Sequence, residues 1–174
     1  PFIFMNAVGT TSDVITMVHE GGHAVHSFLT HPLPITGFKN FPSEVAELAS
    51  MSMELLTMEH WHLIYTDPEE LRRAKRDQLE RVLSILPWVA TVDAFQHAIY
   101  THPEWTIKER SKAWVEIHQR FGGDVVDWSG LDKVRATLWH KQLHIFEGPF
   151  YYIEYAIAQL GAIGVWRNYK KNPT

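Results

Sequence analysis

Two histidines and a glutamate in the run His19-Glu20-Gly21-Gly22-His23 set up the first chemistry this chain could do. On an α-helix, residues four apart are about 40° apart in rotation and roughly 6 Å apart along the axis, so both imidazoles can close on one ion. Glu20, between them, can reach a water on that ion. The spacing is that of two zinc ligands plus a general base for hydrolysis. The plainer reading is a helix that carries two histidines for packing. The chain has no cysteine, which excludes disulfides and thiolate ligands, so any metal must be held by His, Asp or Glu.

A catalytic zinc site needs a third protein ligand and one open position. The downstream candidates are the other histidines and the acidic face of a second helix, which carries Glu44, Glu47 and Glu54. The Pro-rich connection from His31 to Phe41 turns the chain back, so Glu44 and Glu47 both come within reach. A helix-borne glutamate fixes a ligand more tightly than a loop does. Glu54 lies two turns beyond Glu47 and is placed to accept the other ring N–H of a ligand histidine.

The elements that must position these groups are helices. The first spans Asp13 to Leu29, capped by Ser12 or Asp13, with Val14, Val18, Val25 and Leu29 as its expected buried stripe. Pro42 opens a second helix running to about Tyr65, with Ala46, Ala49, Met53 and Leu56 on its apolar face. Asp67-Pro68-Glu69-Glu70 starts a third. Its charged stretch to Arg81 reads as a solvated face, and Pro87 predicts a kink near Leu86 on the way to Tyr100. Thr106 to Glu109 is a capping box for a helix to about Arg120, with Trp114, Ile117 and Phe121 inward. Further helices are expected from Ser129 to Ile145 and, after Glu147-Gly148-Pro149, to about Tyr169. Phe2 to Asn6 is the one candidate strand. The fold class predicted is all-α, a multi-helix core with at most a short N-terminal strand.

With 174 residues, 45% hydrophobic and 21% charged, the chain suits one globular domain over residues 1–174. A net charge of −4 with no basic stripe argues against nucleic acid as a partner. No continuous apolar run reaches the roughly 18 residues of a membrane span, and Pro1-Phe2-Ile3-Phe4 lacks a leader's basic start. Absence of cysteine suits a reducing compartment, so a cytoplasmic location is expected.

The residues carry a family likeness. His19-Glu20-Gly21-Gly22-His23-Ala24-Val25-His26-Ser27 resembles the active-site helix of the oligoendopeptidase F and thimet-oligopeptidase zinc peptidases, where glycine also precedes the second histidine. Val45-Ala46-Glu47-Leu48-Ala49-Ser50, with Glu54 seven residues after Glu47, is similar to that family's second ligand helix. His144-Ile145-Phe146 and Pro149-Phe150-Tyr151-Tyr152-Ile153-Glu154-Tyr155 are similar to its C-terminal His-then-Tyr segment. The likeness implies a zincin-type catalytic core with Zn2+ on His19, His23 and Glu47, not Glu44. It implies Glu20 as general base, with Tyr152 and Tyr155, and His144 nearby, stabilising the oxyanion. The implied partner is a peptide cut at internal bonds. Family members are several hundred residues long, so the likeness also implies a core fragment of a longer peptidase, whose remainder supplies the other channel wall. Gly21 departs from the bulky apolar residue more usual there. The alternatives are another peptidase sharing only the His-Glu helix, and a non-catalytic helical module with a structural or vestigial zinc.

Overall fold

The computed structural model describes residues 2–173, and among them every regular element is helical. The expected strand at Phe2 to Asn6 does not form. Seven α-helices follow in order among the described residues: α1 (Thr11–Thr30), α2 (Ser43–Leu56), α3 (Pro68–Thr101), α4 (Ile107–Gly122), α5 (Asp132–Thr137), α6 (His144–Glu147) and α7 (Ile153–Lys171). The chain divides into two compact units. One holds the residues up to Val82 together with those from Ile157, and the other holds Leu83–Ala156.

In the first unit, α1 starts two or three residues earlier than Ser12 or Asp13 as cap would allow. Thr10 is its N-cap, and Asp13 reaches back from inside the first turn to accept from the backbone N–H of Thr10 at 2.7 Å and Val8 at 3.0 Å. Those donors, Thr10 foremost, hold the Asp13 carboxyl below its usual range. The face of α1 that is buried differs from the expected stripe. Ile15 and Gly22 are buried, whereas Val25 is 43% and Leu29 74% exposed. Gly22 decides this. A Cβ there would lie 2.6 Å from the Cα of Ser50, so α2 crosses backbone to backbone at that point, and the histidine face of α1 turns inward with it. At Gly21 a Cβ would meet nothing within 4 Å, so only the second of the paired glycines is required by packing.

The α-helical hydrogen bonding of α2 stops at Leu56 and tightens into a 3-10 turn over Thr57–Leu63, short of the expected Tyr65. Ser50, Met51, Ser52 and Leu55 are its buried residues, while the expected face of Ala46, Ala49, Met53 and Leu56 is half-buried. Partners on two sides explain the difference. Besides α1 at Ser50, α7 approaches at Leu48, whose Cδ1 lies 2.7 Å from where a Cβ on Gly161 would be.

Asp67 caps α3 as expected, its carboxylate accepting from the N–H of Glu69 at 3.0 Å. The stretch up to Arg81 is not wholly a solvated face. Ala74, Gln78 and Val82 recur every four residues and are 1%, 1% and 7% exposed. The helix runs on through Pro87 to Thr101, as expected of a stretch reaching about Tyr100. Beyond Val82 it contributes Val89, Val92 and Phe95, all fully buried, to the core of the second unit with Trp114, Trp139, Ile145 and Tyr152. This second half of α3 is, by length and composition, apolar enough over an 18-residue window to cross a membrane, although Asp93, Gln96 and His97 interrupt any continuous run. Of its apolar side chains, Val89, Val92 and Phe95 lie in the protein's own core, whereas Leu83 is 72% exposed.

Thr106 and Glu109 form the expected capping box of α4, and Gly123, at φ +64°, ends it. The single helix expected from Ser129 to Ile145 is instead broken into α5, a 3-10 turn over Leu138–Lys141, and the one-turn α6. The break at Gln142 lets Trp139 and Ile145 both enter the core. The loop into α7 passes through Phe150 at φ +55°, a conformation disfavoured for a bulky residue. Fully buried Gln96 holds it there. Its Oε1 accepts from the Phe150 N–H at 2.9 Å, and its Nε2 donates to the carbonyls of Gly148 and Ile145.

Candidate metal centre and active site

The crossing of α1 and α2 at Gly22 and Ser50 carries His19, His23 and Glu47 to one place. One donor atom from each lies within 4.8 Å of the others, and Glu44 is not among them. Glu47 Oε2 is 3.3 Å from His19 Nε2 and 3.8 Å from His23 Nε2. Three ligands on a tetrahedral zinc are about 3.4 Å apart, so two imidazoles and one carboxylate here suit an ion in both chemistry and spacing. The imidazole rings stand nearly perpendicular, with centroids 5.0 Å apart. That leaves both Nε2 atoms aimed toward the carboxylate.

A second layer fixes these donors. Glu54 Oε1 accepts from His19 Nδ1 at 2.6 Å, the role expected of it, which directs the His19 Nε2 lone pair toward the other ligands. Ser50 Oγ donates to Glu47 Oε2 at 3.1 Å. Gln78, from α3, donates through Nε2 to Glu54 Oε2 at 2.7 Å. The sequence gives Gln78 one weak mark. It stands among charges, and only the four-residue recurrence with Ala74 and Val82 marks it as inward. Burial disfavours a charged His19, but hydrogen bonds and charges from Glu47 and Glu54 outweigh it and raise His19 to about 9. Burial also pushes Glu47 up, yet His19, His23 and Ser50 together hold it below its ordinary value. Glu20 follows His19 on α1 and is half-buried.

The remaining predicted residues gather in the second unit. His144 opens α6, and Tyr152 and Tyr155 lie at the start of α7. Ring centroids of His144 are 5.0 Å from Tyr152 and 5.6 Å from Tyr155. The Tyr155 hydroxyl lies 3.3 Å from His144 Nε2. Tyr152 is only 8% exposed and belongs to the hydrophobic core. Burial pushes its phenol up, and hydrogen bonds from Trp88 and Gln142 draw it partly back. Trp88 and Gln142 are thus further members of this group that the sequence does not mark. Their meeting depends on the break between α5 and α6.

Comparison with known proteins agrees with these motifs. The profile of Peptidase family M3 matches residues 1–174. The chain is 23% identical over 180 residues to an oligoendopeptidase F homolog of Borreliella burgdorferi, covering 99% of this chain and 29% of that protein. Against the homolog from Mycoplasma pneumoniae it is 28% identical, covering 91% and 28%. With oligopeptidase PepF of Bacillus subtilis it shares 25%, covering 90% and 23%. The chain therefore spans less than a third of the length of the curated relatives it matches. Among solved structures, PZ peptidase A with an inhibitor superposes with a TM-score of 0.90 at 34% identity, over 99% of this chain and 30% of that one. A structure described as an oligoendopeptidase F gives 0.88, also at 34% identity and with the same coverage.

Proposed function

The chain belongs to peptidase family M3, and from that membership and its His-His-Glu cluster we propose that it is the metal-binding, catalytic part of a zinc-dependent oligoendopeptidase. Its substrates would be short peptides, cut at internal bonds. The observation that carries the reading is the convergence of His19, His23 and Glu47 within 4.8 Å, backed by Glu54 on the far nitrogen of His19. When bound, zinc would acidify a water and polarise the peptide carbonyl. His19, His23 and Glu47 would hold the ion, leaving one position open to solvent or substrate. Glu20 would take the proton of the attacking water and deliver it to the leaving amine. The oxyanion that forms on the carbonyl needs donors besides the ion, and Tyr152 and Tyr155, with His144 beside them, are the groups proposed for it. Side-chain preference at the cleaved bond would depend on further parts of the longer relatives.

In the intact enzyme, Glu20→Gln should keep zinc at the wild-type content and lower hydrolysis of an internally quenched peptide by roughly 10²–10⁴-fold. Turnover near the wild-type rate would exclude Glu20 as the base.

A further inference from the structure

The hydrogen bonds that join Trp88, Gln142 and His144, with the Tyr152 phenol also accepting from Trp88 and Gln142, fix which way the Gln142 amide faces. An indole N–H only donates, and Trp88 Nε1 lies 3.2 Å from Gln142 Oε1. Turning the Gln142 amide over would set its NH2 against the indole N–H, two donors facing each other. The amide oxygen therefore faces Trp88, and the amide nitrogen faces His144 Nδ1 at 2.6 Å. That nitrogen can only donate, so His144 Nδ1 must offer a lone pair. The neutral imidazole then carries its proton on Nε2, which lies 3.3 Å from the Tyr155 hydroxyl oxygen.

We propose that Gln142, oriented by Trp88, is a positioning residue that fixes His144 as its Nε2–H tautomer, so that His144 acts as a neutral N–H donor at the Tyr155 oxygen. The inference rests on the reading of the His144 and Tyr155 group as part of the catalytic apparatus. It assigns His144 a task different from proton abstraction. Nε2 carries the proton, and a proton placed on Nδ1 would confront the Gln142 amide N–H. The backbone break at Gln142, which interrupts an otherwise helical run, allows the side chain to meet both Trp88 and His144. A glutamate at this position would reverse the polarity, because a carboxylate accepts where the amide donates.

The test is nitrogen NMR of the intact enzyme labelled with 15N-histidine, the His144 resonances being those lost in His144→Gln. Wild type should show a protonated, pyrrole-type Nε2 and an unprotonated, pyridine-type Nδ1. Gln142→Glu should move the proton to Nδ1, and Gln142→Met should leave a mixture of the two tautomers. A wild-type His144 with its proton on Nδ1 would overturn the proposal, and this measurement needs no variant at Gln142 to fold. An unchanged pattern in a folded Gln142→Glu protein would overturn it equally. Peptide hydrolysis by Gln142→Glu should fall by roughly 10²-fold, at the lower end of what a positioned proton-transfer group contributes. A reversed tautomer with wild-type turnover would overturn the role in catalysis. It would count against His144 as a catalytic group, not against control of its tautomer by Gln142.

Discussion

The two groups of chemically capable residues are built in opposite ways. His19, His23 and Glu47 project from two uninterrupted helices that meet backbone to backbone at Gly22, and the buried length of α3 adds Gln78 behind Glu54. His144 and Tyr152 stand on an irregular stretch between Leu138 and Ile153 that passes through Phe150 at positive φ, and Tyr155 follows on the first turn of α7. Helices place a ligand set by spacing alone. The second group depends on two side chains from α3, Trp88 and Gln96, and on Gln142 within the irregular segment itself, which tie that segment to the core. The first region should therefore be most sensitive to change in its helix contact, and the second to loss of single buried polar partners.

The largest effect is expected at Gly22. A Cβ there would strike the α2 backbone, which cannot give way as a flexible side chain can, so Gly22→Val should force α1 and α2 apart. Overpacking of this kind costs about 3 kcal/mol or more. Thermal unfolding should register that loss, together with loss of metal binding, and near-normal stability would mean that the close crossing does not hold the site. Next comes Gln96, the clamp of the second region. Gln96→Leu leaves the N–H of Phe150 and two carbonyls without their partner, at roughly 1–3 kcal/mol. Hydrogen exchange over residues 145–152 should speed up, while the backbone around His19 and Glu47 keeps its protection. Equal loosening of both regions would erase the distinction between them.

The electrostatics of the first region predict a smaller, graded effect. His19 is raised to about 9 by Glu47 and Glu54, and a metal must displace a proton from it. Apparent zinc affinity should rise with pH between about 6.5 and 9 by up to roughly 10-fold per unit, then level off. Competition with a chelator of known affinity measures it. Affinity flat across that range would show that His19 does not carry the competing proton. The smallest effect belongs to Gly21, which has open space around it. Gly21→Ala should stabilise the protein by up to about 1 kcal/mol through helix propensity, leaving zinc affinity unchanged.

The same contrast governs what could be read from the residues in order. The helix character, the capping box of α4 and the proximity of Glu47 to His19 and His23 were legible because each depends on local spacing or on a recognisable motif. The buried face of α1 was not, because apolar periodicity favoured Val25 and Leu29, whereas a backbone contact at Gly22 settled the rotation. The break at Gln142 was equally hidden. Asp132 to Ile145 has ordinary helix formers, and only the burial of Trp139 and Ile145 together forces the chain out of helical conformation. Gln78 and Gln96 illustrate the remaining gap. A glutamine in sequence carries no mark of burial, and its value here comes from partners 24 and 54 residues away.

Metal content of variants on α2 tests the central claim most directly. The intact protein should contain about one zinc per chain. Glu47→Gln should bind the ion far more weakly, and Glu44→Gln, one helical turn away, should keep it. A protein that takes up no divalent metal after zinc is added back, or one that loses it with Glu44 and retains it without the Glu47 carboxylate, would contradict the account.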